Sequence, residues 1–138
     1  MSPHLKKILL IDDSESDNFI HKKRIEKTGV CDEVVIKFGG IEALEYLQGK
    51  ETSGNYPKPE LVFLDINMPG MNGWEFLAEY QKMDEEMKAN VVISMLTTSV
   101  SDQDREMATK WSEIKSFENK PLTEDKLLAI VDRYFREN

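Results

Sequence analysis

The sequence predicts an α/β protein: a doubly wound parallel sheet with helices on both faces. Three observations lead there. Short continuous apolar runs (Ile8 to Ile11, Leu61 to Leu64, Val91 to Leu96) are each bounded by turn or polar residues. Such runs read as strands buried on both faces, the usual strands of a parallel sheet. Strand-like and helix-like segments alternate five times along 138 residues, the spacing of βαβ units with right-handed crossovers. The runs also end on polar residues, which places those residues at the carboxyl ends of strands, where open α/β sheets bind their ligands.

The first strand, Lys6 to Ile11, closes on Asp12 and Asp13. Ser14-Glu15-Ser16-Asp17 then supplies a helix cap and an acidic first turn. The helix it opens runs to about Thr28 and is ended by Gly29. Its inward face would carry Asp17, Ile20, His21, Arg24, Ile25 and Thr28, an unusually polar set, with Phe19 off that face. Glu33 to Phe38 is the second strand, and after Gly39-Gly40 the segment Ile41 to Leu47 is a helix with Ala43, Leu44 and Leu47 inward. Lys50 to Pro59 is a polar loop. The third strand runs from Leu61 into Asp65, and Met68-Pro69-Gly70 with Gly73 turns the chain into a helix, Trp74 to Met83, that packs through Phe76, Leu77 and Tyr80. The charged stretch Asp84 to Asn90 is an extension or loop. Val91 to Leu96 is the fourth strand, ending on Thr97-Thr98-Ser99, and Ser101 caps a fourth helix to about Lys110. Ile114 to Asn119 is the fifth strand and ends at Lys120-Pro121. The last helix starts at Thr123 with Leu127, Leu128, Val131, Tyr134 and Phe135 inward, and no output domain is expected after it.

Composition narrows the function. A chain of this length is expected to form one domain, residues 1–138, with a real core. The formal net charge of −8 disfavours nucleic acid, whose binding rests on cations neutralising phosphates, and favours a site that attracts cations. The single cysteine, Cys31, cannot form an internal disulfide. No apolar run of about eighteen residues is present, so no membrane span is expected. The start of the chain lacks a signal-peptide core, and the protein is expected in the cytoplasm. Gly-x-Gly-x-x-Gly and P-loop motifs are absent, which argues against dinucleotides and nucleoside triphosphates.

The strand ends carry the chemistry. An isolated Asp after a strand more often only opens a turn. Here Asp12, Asp13, Asp65, Thr97 and Lys120 share one rim. If strand one neighbours strand three, three carboxylates converge and raise one another's pKa. A divalent cation relieves that repulsion, and an oxygen-only site with open positions suits Mg²⁺. A hydroxyl and an ammonium opposite would hold phosphoryl oxygens. The set fits phosphoryl transfer onto a carboxylate.

Ile-Asp12-Asp13-Ser, Leu-Asp65-Ile-Asn-Met-Pro-Gly-Met-Asn-Gly, Leu-Thr97-Thr-Ser and Asn-Lys120-Pro-Leu, in this order and spacing, resemble the receiver domain of two-component response regulators from about Lys6 to Phe135. The resemblance implies a flavodoxin-like (βα)5 three-layer sandwich with strand order 2-1-3-4-5. It implies that Asp65 accepts a phosphoryl group from a phosphohistidine on a histidine kinase or phosphotransfer protein. It further implies Mg²⁺ ligation by Asp13, Asp65 and the backbone carbonyl of Asn67, with Asp12 acting mainly through a metal-bound water. Thr97 and Lys120 would meet the phosphoryl oxygens, Phe117 would stand at the switch aromatic, Gly73 at the turn glycine, and the Lys120-Pro121 bond would be cis. Partner choice would lie on the fourth helix, fifth strand and fifth helix, a face that also makes a homodimer plausible.

Phe117 keeps a ring at the switch position but lacks the hydroxyl of Tyr, and Asn72 stands where the family often has Asp. The remaining singular residues have plain expectations: His21 packed and hydrogen-bonded, His4 solvated, and Trp74, Trp111 and Phe19 partly in the core. Two other functions compete. A Mg²⁺-dependent phosphohydrolase working through an aspartyl intermediate usually has a second acid two residues after its nucleophile, and Asn67 occupies that position. A phosphorylation-independent adaptor with a vestigial site would not need the full polar set. The resemblance favours a non-enzymatic relay that catalyses only its own phosphoryl transfer and slow dephosphorylation.

Overall fold

A computed structural model describes residues 3–88, 92–98 and 101–135. The elements are β1 (Leu5–Ile11), α1 (Glu15–Thr28), β2 (Cys31–Lys37), α2 (Gly40–Gln48), β3 (Leu61–Leu64), α3 (Gly73–Gln81), α4 (Glu85–Lys88), β4 (Val92–Thr97), α5 (Asp102–Ala108), β5 (Ile114–Asn119) and α6 (Glu124–Phe135). The five strands form one parallel sheet in the order β2-β1-β3-β4-β5, the arrangement the resemblance implied. The order reverses between β1 and β3, so a crevice opens where their carboxyl ends part.

Successive side chains of a strand face opposite sides of the sheet, and the core divides accordingly. Leu9, Ile11, Val62, Leu64 and Met95 pack with Ala43, Leu47, Phe76, Leu77 and Tyr80 of α2 and α3. Ile8, Leu10, Leu61, Phe63 and Leu96 pack with Ile25, Leu127, Ile130 and Val131 of α1 and α6. Both β1 and β3 are therefore covered on each face, as their unbroken apolar runs require. Among the described residues no helix is long and apolar enough to cross a membrane.

Several details depart from the sequence expectation. The buried stripe of α1 is Asn18, His21 and Ile25, while Ile20 is 43 % exposed. The stripe turns toward Asn18 because its amide finds a buried partner, donating from Nδ2 to the Asp12 carbonyl at 2.8 Å. That bond offsets part of the cost of burying the amide, whose Oδ1 has no hydrogen-bond partner among the described residues. Phe19, expected partly in the core, is 58 % exposed, with the Lys23 ammonium over its ring. On α6, Leu128 is exposed and Ile130 is buried instead, since the i, i+3, i+4 stripe of Leu127, Ile130 and Val131 faces the sheet. Trp74 and Trp111 do pack partly against the core. The stretch after α3 contains the single turn α4. Val91 and Ser99 lie outside the described residues.

Candidate functional site

The β1 carboxyl end delivers Asp12 and Asp13 to the crevice. Asp12 is 4 % exposed and Asp13 is exposed. Ser14 caps α1 by accepting from the Asp17 N–H at 3.2 Å, and its own N–H donates to Asp12 Oδ1 at 2.9 Å. The cap that starts the helix thus also fixes the Asp12 carboxylate.

The β3 carboxyl end delivers Asp65, 6 % exposed, and its backbone N–H extends the ladder to the Ile11 carbonyl at 3.0 Å. The loop beyond returns close beneath it. A Cβ at Gly73 would lie 2.6 Å from the Asp65 carbonyl oxygen and 3.0 Å from Ile66 Cα, so only glycine fits this approach. Next to it, Asn72 and Glu75 close a capping box at the start of α3. The cap needs an acceptor oxygen on a short side chain, which Asn provides as well as Asp. Asn67 sits exposed on the same loop.

Asp12, Asp13 and Asp65 each offer a carboxylate oxygen within 4.8 Å of the others, a group among the described residues that could hold a metal ion. An all-oxygen donor set suits a hard divalent cation such as Mg²⁺. The anions also repel. Burial, and after it the Asp12 charge, pushes the Asp65 carboxyl up to about 6, against the pull of Lys120 and the N–H groups of Ile66 and Asn67.

Lys120 enters from the end of β5 with its side chain 11 % exposed. Its ammonium lies 2.6 Å from Asp12 Oδ2, 2.9 Å from Asp17 Oδ2 and 3.6 Å from Asp65 Oδ2. Burial alone would lower its pKa, but the bonds to Asp12 and Asp17 outweigh that and hold it above the ordinary lysine value. Lys120 N–H donates to the Thr97 carbonyl at 2.7 Å, and the Lys120-Pro121 peptide is cis.

Thr97 ends β4 fully buried, and its hydroxyl has no hydrogen-bond partner among the described residues. A buried hydroxyl left unpaired is costly, so the position is suited to a ligand oxygen. Thr98, beside it, is exposed. Phe117 is half-buried on β5 opposite Met95, with the Arg105 guanidinium 5.9 Å from its ring centroid.

Three residues absent from the predicted site belong to its surroundings. Asp17 pairs with Lys120, which lowers its carboxyl pKa. Asn18 and His21 line a cavity of about 10 Å³ beneath Asp12 and Asp65. His21 Nε2 accepts from the Leu122 N–H at 3.2 Å, and burial lowers its pKa. It is the packed, hydrogen-bonded histidine expected. The polar face of α1 was the signal for Asp17 and His21, while Asn18 lies off the face the sequence suggested. His4 pairs with Asp32 at the surface.

Comparison with known proteins follows the same lines. A family model described as the response regulator receiver domain matches residues 8–132. Response regulator Rcp1 of Synechocystis sp. is 33% identical over 99 residues, covering 72% of this chain and 66% of that protein, just under two thirds. The crystal structure of a two-component response regulator from Cytophaga hutchinsonii superposes with a TM-score of 0.86 at 28% identity, covering 97% of this chain and 99% of the other. The Mn²⁺-bound form of response regulator Rcp1 superposes with a TM-score of 0.71 at 26% identity, covering 93% and 90% of the two chains.

Proposed function

Because the chain belongs to the response regulator receiver domain family of two-component systems, we propose that it relays a signal by accepting a phosphoryl group on Asp65 from a phosphohistidine of a histidine kinase or phosphotransfer protein. The observation that carries the reading is the position of Asp65 at the end of a central strand, with two further carboxylates and one ammonium gathered around it. A carboxylate oxygen of Asp65 forms the new P–O bond as the donor's P–N bond breaks, and the imidazole leaves as the neutral base once protonated. Lys120 carries the charge that meets the phosphoryl oxygens, and the buried Thr97 hydroxyl, unpaired among the described residues, would donate to one of them. Asp12, Asp13, Asp65 and the Asn67 carbonyl would hold Mg²⁺. The ion would supply positive charge that offsets the carboxylates against the incoming anion. The oxygen-only donor set supports this choice, as does the Mn²⁺ named for Rcp1.

The output is a changed surface for a protein partner. Thr97 and the half-buried Phe117, on the paired strands β4 and β5, are the elements placed to respond. In this reading the protein turns over no separate substrate. Self-association through α5, β5 and α6 belongs to the same reading, and sedimentation with and without phosphodonor measures it. The reading is tested with a ³²P-labelled phosphohistidine donor and Mg²⁺. Label moves to the wild type and not to Asp65→Asn. Equal labelling of both proteins would refute Asp65 as acceptor.

A further inference from the structure

The first turn of α1 brings a further carboxylate to Lys120 besides Asp12 and Asp65, on a residue outside the Asp12, Asp13, Asp65 group. An ammonium has three N–H donors. Asp12 and Asp17 engage two of them, at 2.6 and 2.9 Å. The 3.6 Å gap to Asp65 is too long for a hydrogen bond. The ammonium thus rests against Asp12 and Asp17, just out of bonding reach of Asp65.

The backbone that carries Lys120 is fixed from three directions. Lys120 N–H donates to the Thr97 carbonyl, Leu122 N–H donates to His21 Nε2, and Arg24 Nη1 donates to the Leu122 carbonyl at 3.0 Å. Asp17, His21 and Arg24 follow one another at i, i+4 and i+7, so one stripe of α1 grips the whole Lys120–Leu122 segment. With the backbone held, the pair with Asp17 restricts the side-chain rotation through which the ammonium could move closer to Asp65.

We propose that Asp17 is a positioning residue that restrains phosphorylation: it holds the Lys120 ammonium off Asp65 in the resting state and competes with phosphoryl oxygens for it. This rests on the reading of Asp65 as acceptor. Asp12 cannot play the same part, because its other oxygen is tied to the Ser14 N–H and the residue belongs to the metal-competent group. Asp17 is partly exposed, so its carboxylate regains water as the ammonium leaves. Removing its charge leaves the ammonium held by Asp12 alone and makes the pocket less repulsive to an anionic donor.

The test measures the initial rate of phosphoryl adduct formation by mass spectrometry, with acetyl phosphate and Mg²⁺, on the full chain. Asp17→Asn is expected to react about three- to fivefold faster than wild type, the range of an ion pair of modest strength. Asp17→Glu, which keeps the charge, returns the rate toward wild type, whereas a role in packing alone would move both variants together. Circular dichroism checks that each variant is folded. In a Lys120→Met background the Asp17→Asn gain disappears if Asp17 acts through Lys120. An Asp17→Asn rate equal to or below wild type overturns the proposal, as does a gain that persists undiminished without Lys120. An adduct missing from wild type would instead bring down the acceptor reading, and this proposal with it.

Discussion

The two sides of the crevice are built differently. On one side β1 and β3 lie in unbroken register from Ile8–Leu61 to Ile11–Leu64, with β3 wholly buried. On the other, β4 pairs with an edge strand through a register shift at Ile93/Ser94, and β5 is half-exposed along most of its length. The carboxylates sit on the first side, and Thr97, Phe117 and Lys120 come from the second. The contrast separates two physical demands. An anion cluster has to be held against its own repulsion, which takes a close-packed frame. A response to new charge needs an element with little packing to lose. The proposed relay uses the first side to bind and the second to report.

The largest effect on this contrast comes from the frame. Phe63→Ala removes a ring that is 2 % exposed in the middle of β3, and should cost about 3–5 kcal/mol in denaturant unfolding. Next comes the charge that the frame confines. The Asp65 carboxyl lies at about 6 in the folded chain against an ordinary 3.8, so the folded state binds its proton more tightly than the unfolded state does. Stability then falls as pH rises between those two values and stays at the lower level above them. Asp65→Asn should therefore gain roughly 3 kcal/mol in urea at pH 7 without divalent cation. That gain should vanish as pH falls through the ordinary carboxylate range. The smallest effect belongs to the reporting side. Phe117→Ala should cost about 1–2 kcal/mol, because the ring is only half-buried. A loss matching that of Phe63→Ala would erase the distinction between the two sides.

What could be read from the sequence follows the same division. The Ile8–Ile11 and Leu61–Leu64 runs announce themselves because strand residues buried on both faces are all apolar, and Asp12 and Asp65 are the polar residues that end them. The four motifs then named the rim. Burial on α1 was harder to read, because Asn18 is inside on the strength of its bond to the Asp12 carbonyl, which hydropathy does not register. His21 was expected inside and is, held by the Leu122 N–H, whereas Ile20 was expected there and is exposed. Asp17 was seen as a polar oddity of that face, but its role needs Lys120, a residue 103 positions away. On α6, Leu128 and Ile130 are equally apolar, and only the sheet decides which of them is covered.

The central claim is that Asp65 is the acceptor, and acetyl phosphate tests it without any partner protein. Intact-mass measurement after incubation with acetyl phosphate and Mg²⁺ should give one acid-labile phosphoryl adduct on the wild type, and none on Asp65→Asn or when Mg²⁺ is withheld. An adduct of equal yield on Asp65→Asn, or a wild-type yield indifferent to Mg²⁺, would contradict the account.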